Sequence, residues 1–174
     1  MKSWYTLNEM SSLAKKLHIG NKKLVLITGC FDFIHFGHIN FLRYAKKLGD
    51  ILILGLDNDE NIKINKGITR PLFTFPQRVN VLSELKSIDY IFKIESKILF
   101  SSENADRMLR NVLQKIQPDM LVTNPFSDKT WKRKKMICQK LKIPLLVFNK
   151  KRIYSSTKLI DELKNLKKSS NEYH

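Results

Sequence analysis

Leu24-Val25-Leu26-Ile27-Thr28-Gly29-Cys30-Phe31-Asp32-Phe33-Ile34-His35-Phe36-Gly37-His38 decides the fold of this chain. Its first five residues are apolar or β-branched and do not alternate with polar ones. That is the pattern of a strand covered on both faces, as in a parallel sheet. Residues 29–38 read as a turn. Residues 39–49 read as a helix, with apolar side chains at 41, 42, 45 and 48 and Gly49 as its stop. Strand, turn and helix in that order open a right-handed βαβ unit.

The alternation continues outward. Residues 51–56, 88–94, 120–124 and 144–149 read as four more short buried strands. Helices are predicted over 76–87, 103–117 (stopped by Pro118) and 129–142, with a last one over 156–168. Upstream, Leu7, Met10, Leu13 and Leu17 place an amphipathic helix over 6–17. The predicted fold class is α/β: a Rossmann-like, doubly wound, parallel five-stranded sheet in a single domain. A length of 174 residues suits one domain, at about 150 residues each. The predicted organisation is a helical extension over 1–21, the domain over 22–165 and a basic, polar tail over 166–174.

Composition excludes several classes. No apolar run approaches the ~18 residues of a membrane span, and the first residues lack the apolar core of a signal peptide. The expectation is a cytoplasmic protein whose two cysteines, Cys30 and Cys138, stay reduced. The formal charge of +16 favours anionic partners. It gathers at the end: over 129–174, Lys and Arg outnumber Asp and Glu by 14 to 3. Most are lysines in an Asn- and Ile-rich context, so charge alone does not make nucleic acid a partner.

In parallel sheets, ligands bind beyond the carboxyl ends of the strands. Of the loops placed there, 29–38 and 150–157 carry unusual residues. Two of the chain's four histidines fall within His35-Phe36-Gly37-His38, where a strand meets a helix. A helix N-terminus favours anions through its free N–H groups and dipole. Gly37 lets a ligand approach the backbone. Imidazoles at i and i+3 can sit on one side of the helix entrance and donate to phosphate oxygens.

Residues 29–38 resemble the G-x-F-D-x-x-H-x-G-H signature of the cytidylyltransferase-like nucleotidylyltransferases. The resemblance extends to 41–59, to the K-G-x-x-R-P-like segment and following helix in 65–91, and to Tyr154-Ser155-Ser156-Thr157, which is similar to a late I-S-[ST]-T motif. It implies transfer of AMP or CMP from ATP or CTP to a phosphorylated small molecule, with pyrophosphate released and no covalent intermediate. His35 and His38 are then the catalytic donors to the triphosphate, with Lys46 as a phosphate-binding lysine. Gly29, Cys30, Phe31, Asp32 and Gly37 shape the nucleotide loop. Arg78, Ser155, Ser156 and Thr157 contact phosphates, with a weaker case for Asp59. Apart from the resemblance, Lys66 and Arg70 flank a flexible Gly67 and precede a rigid Pro71, which suits a mobile lid over phosphates; an ordinary basic surface loop is the alternative. The resemblance further implies Mg²⁺ arriving with the triphosphate, no dedicated metal site, and a homodimer.

Members of this group act on glycerol 3-phosphate, choline or ethanolamine phosphate, heptose phosphate or flavin mononucleotide. The K-G-x-x-R-P segment is most similar to that of heptose-phosphate adenylyltransferases. Those carry a K-G-G-D-Y-like motif after the fourth strand, where this chain has Thr123-Asn124-Pro125-Phe126-Ser127-Asp128. A second class of reading is a non-catalytic binder that uses Trp131-Lys132-Arg133-Lys134-Lys135 against RNA or acidic lipid. A solvated helix face is the blander account of that segment.

Overall fold

The computed structural model describes residues 4–95 and 98–149. Its elements in chain order are α1 (Leu7–Ile19), β1 (Leu24–Gly29), α2 (Phe36–Lys46), β2 (Ile51–Asp57), α3 (Asp59–Lys66), α4 (Phe75–Ser83), β3 (Tyr90–Ile94), α5 (Glu103–Ile116), β4 (Met120–Thr123), α6 (Trp131–Lys140) and β5 (Leu145–Val147). The five strands form one sheet in the order β3-β2-β1-β4-β5, and every pairing is parallel. The Rossmann-like α/β expectation is met. The helix expected over 156–168 lies outside the described residues.

Burial on both faces explains why the strands do not alternate with polar residues. Val25 and Ile27 of β1 enter one core with Phe41, Leu42 and Ala45 of α2 and Phe75, Val79 and Leu82 of α4. Leu24 and Leu26 enter the other, with Met10 and Ala14 of α1, four residues of α5, and Ile137 and Cys138 of α6. Each apolar side chain fully buried this way contributes about 1.5–3 kcal/mol. The first helix, expected as an extension, is therefore part of the core. Thr6 and Glu9 cap it reciprocally, and Tyr5 bonds Ile91 and Lys93 along the edge of β3.

Two local differences bear on the site. The helix after β1 begins at Phe36, three residues earlier than the apolar spacing predicts, because His35 itself caps it. Residues 59–66, read without an element, form α3, capped by the Asn58 side chain accepting from Asn61 N–H at 2.8 Å. The chain winds outward from β1 through β2 to β3, then returns to place β4 on the other side of β1. Strand order reverses between β1 and β4, and in open α/β sheets the ligand crevice lies at that point, outside the carboxyl ends of the strands.

Candidate active site

The turn after β1 is shaped by close contacts. Phe31 holds φ at +44°, a left-handed conformation that costs a non-glycine residue energy and clusters at functional sites. Its ring folds back over Gly29, where a Cβ would meet Phe31 Cε2 at 2.9 Å. The same ring lies 5.2 Å from that of His38.

His35 is the N-cap of α2, with Nδ1 accepting from Gly37 N–H at 3.1 Å. An accepting Nδ1 puts the proton on Nε2, so the ring keeps a donor. His38 follows in the first turn of α2, its ring centroid 4.0 Å from that of His35 and tilted by 32°. A Cβ on Gly37 would fall 2.9 Å from His35 Cε1, so glycine makes room for the imidazole. The structure thus brings His35, His38, Gly29, Phe31 and Gly37 together at one helix entrance.

Buried polar bonds hold this turn from beneath. Asp32 is 4% exposed; its carboxylate accepts from Leu72 N–H at 2.7 Å, Phe73 N–H at 3.2 Å and Arg70 Nε at 2.5 Å. Arg70 therefore lies under the turn, paired with Asp32, rather than over it as part of a lid. Its Nη2 is buried with no hydrogen-bond partner among the described residues. Lys66 ends α3 and is exposed.

Arg78, expected to contact phosphate, is 2% exposed and bound to protein oxygens. Nε donates to Phe73 O at 3.2 Å, Nη1 to Cys30 O at 2.6 Å, and Nη2 to Asp57 O at 2.7 Å and Asp59 Oδ1 at 2.8 Å. It is a positioning residue that ties the turn to the end of β2 and to α4. Asp59 completes the clamp, its second oxygen accepting from Phe75 N–H at 3.1 Å. Cys30 also points inward, Sγ donating to Asp57 Oδ2 at 3.5 Å. Burial, then the Asp57 charge, pushes the Cys30 thiol up to about 12. Burial likewise raises Asp57, against the opposing pull of Cys30, Lys134, Asn61 and Arg78.

Lys46 does not join the site. It ends α2, about 15 Å along the axis from Phe36, and its Nζ donates to Asp50 O and Asp89 Oδ2, both at 2.5 Å. Those acceptors mark the amino ends of β2 and β3, the edge opposite the turn. Ser155, Ser156 and Thr157 lie outside the described residues.

One cation of the basic helix lies at the carboxyl edge rather than on a solvated face. Lys134 of α6 reaches the end of β1, with Nζ 3.0 Å from Thr28 Oγ1 and 2.8 Å from Asp128 Oδ2. Arg133 is also occupied, by Asp106 at 2.8 Å, whereas Lys132 and Lys135 of the same segment stay exposed. Its one sequence signal was position: the helix follows β4, and its first turns must pass the crevice. Among the described residues no group of three metal-ligating side chains occurs, and no helix is long and apolar enough to cross a membrane.

Similarity to known proteins agrees with this geometry. The bifunctional protein HldE of Aliarcobacter butzleri is 38% identical over 117 residues, 67% of this chain and 22% of that protein. HldE of Campylobacter jejuni is 31% identical over 160 residues, 91% of this chain and 31% of that protein. The chain therefore spans less than a third of the length of these relatives. Among solved structures, the lipopolysaccharide core biosynthesis protein of Thermoplasma volcanium is 28% identical, with a TM-score of 0.56 over 72% of this chain and 93% of that one. Pantoate-β-alanine ligase of Francisella tularensis, 17% identical with a TM-score of 0.61 over 87% of this chain and 67% of its own, shares the fold. The profile of the cytidylyltransferase-like family matches residues 26–168, and the chain belongs to that family of nucleotidyltransferases.

Proposed function

We propose that this chain transfers AMP from ATP to the phosphate of a phosphorylated sugar, a heptose phosphate first among candidates, and releases pyrophosphate. One observation carries the reading: two imidazoles with ring centroids 4.0 Å apart at the N-terminus of α2, one with its Nδ1 accepting and so its proton on Nε2, at the carboxyl end of the central strand. The K-G-x-x-R-P segment and the HldE relatives favour ATP and a sugar phosphate over the other pairs in the family.

The acceptor's phosphate oxygen attacks the α-phosphorus in line. The bond from that phosphorus to the bridging oxygen breaks, and pyrophosphate leaves with the electron pair. His35 and His38 donate hydrogen bonds to the α-phosphate and to the departing oxygen, where negative charge grows. A preorganised donor of this kind is worth about 10²–10³ in rate. Mg²⁺ enters as part of the nucleotide substrate and offsets the charge of its phosphates. The remaining acceleration comes from holding the two substrates in line.

The test is pyrophosphate release from ATP and from CTP, each against heptose, glycerol, choline and ethanolamine phosphates and flavin mononucleotide. Release with ATP and a heptose phosphate, lowered by about 10²-fold or more in His38→Ala, supports the reading. Release with CTP or with another acceptor alone replaces the substrate. Equal release by His38→Ala overturns the site.

A further inference from the structure

Lys134 belongs to no part of the machinery described so far, yet it stands at the crevice. Its ammonium bridges the last turns of two neighbouring strands: Thr28 of β1 at 3.0 Å, and through Asp128 (2.8 Å) the hydroxyl of Thr123 at the end of β4, also 2.8 Å away. Asp128 is itself fixed by Thr130, whose N–H and hydroxyl donate to Oδ1 at 2.9 and 2.7 Å. Burial alone would raise the Asp128 carboxyl; Lys134's charge and the bonds from Lys134, Thr130 and Thr123 together hold it below its ordinary value. The platform is built by 123–130, the stretch that departs from the K-G-G-D-Y-like pattern.

Three features distinguish this pair from a surface ion pair. Its side chains keep 19% exposure each, so it is neither sealed in the core nor free in solvent. It sits where strand order reverses, beside the turn that carries His35 and His38. Three of the four other cations assigned by sequence are committed elsewhere, Lys46 to the opposite edge, Arg70 to Asp32, and Arg78 to carbonyls and Asp59; the fourth, Lys66, stays exposed at the end of α3. A triphosphate and a sugar phosphate together bring several negative charges to this edge. Among the described residues, Lys134 is the cation whose flexible stem reaches the crevice from the far face of the sheet.

We infer that Lys134 is a substrate-binding residue: its ammonium leaves Asp128 to contact a phosphate group of the bound substrates, and Asp128 stores it in position between turnovers. The contact is a charge-assisted hydrogen bond to a phosphoryl oxygen. The triphosphate and the sugar phosphate share that chemistry, and the assay separates them. The inference rests on the proposed activity for its kinetic arm only.

The experiment uses the full chain with Lys134→Met, Lys134→Gln and Lys134→Arg. Gln keeps a donor for Thr28 and Asp128, so it guards against a Met variant that fails to fold. Calorimetric titration with ATP, and separately with a heptose phosphate, reads affinity without turnover. Loss of a charge-assisted bond predicts roughly tenfold weaker binding of one ligand in both Met and Gln, with Arg within about threefold of wild type. Where wild type turns over, KM for the same ligand rises and kcat holds; the ligand affected names the phosphate. If wild type binds ATP but releases no pyrophosphate, the activity fails while the affinity difference still decides on Lys134. Unchanged affinity for both ligands in Met or Gln overturns the inference, as does a wild type that binds neither.

Discussion

Gly37→Ala adds one methyl group to the first turn of α2, where an ideal Cβ falls 2.9 Å from His35 Cε1 and 3.1 Å from Nδ1. Carbon atoms in contact sit at about 3.5–4.0 Å, so the ring must retreat by roughly 0.5–1 Å. It has little room, since the His38 ring lies with its centroid 4.0 Å away. The retreat weakens the Nδ1 cap, which costs about 1 kcal/mol. Alanine returns up to about 1 kcal/mol through its better helix propensity. Stability should therefore change by less than ~1 kcal/mol, a shift of no more than about 4 °C in Tm for a chain this size. The catalytic donor, however, is displaced on a scale that costs about 10²-fold in rate. Pyrophosphate release and thermal unfolding on the same preparation check both halves. A kcat within about threefold of wild type refutes the role given to the His35 ring. A Tm loss beyond about 8 °C would mean that the backbone, not the imidazole, requires the glycine.

Arg78→Ala should destabilise by about 3–5 kcal/mol, because it strands two buried carbonyls and the Asp59 carboxylate; Arg78→Lys should recover little of this, lacking the fork, and denaturant midpoints measure both. Lys46→Met should leave pyrophosphate release unchanged and cost at most about 1 kcal/mol, since the Asp89 pair is partly exposed; a large fall in kcat would return Lys46 to the site. Asp57 carries a carboxyl raised in the folded state above its ordinary 3.8. Its contribution is therefore complete below that value and is lost as pH rises through the folded one. Asp57→Asn should gain stability relative to wild type as pH rises above 3.8, and a difference that stays constant with pH would contradict the assignment.

The sheet was legible because burial on both faces leaves unbroken apolar runs such as Leu24–Ile27 and Ile51–Leu54. The histidine pair was legible because two of four histidines fall at one strand-to-helix junction. Helix α3 was not, since it holds itself through amides rather than apolar spacing. Asn61 accepts from Ile98 N–H at 3.0 Å, and Asn65 bonds Ile98 O and Phe100 N–H, both at 2.8 Å. Such long-range polar bonds leave no period in the sequence. Arg70 and Arg78 show a different limit. A guanidinium binds a phosphate or a buried carboxylate with the same donors, and Asp32 and Asp59, which claim them, lie 38 and 19 residues away. Lys46 was misplaced by arithmetic along a helix: ten residues past Phe36 is the far end of the layer.

The Arg78 and Asp32 bonds bear on transplanting the signature to another scaffold. The ten residues 29–38 do not hold their own shape; their carbonyl at Cys30 and carboxylate at Asp32 are anchored by side chains and amides from 70 to 78. Grafting the decapeptide onto a foreign βαβ unit would carry over the histidines without the grip that orients them. A working transplant must include both stretches, so it takes at least the chain from β1 through α4.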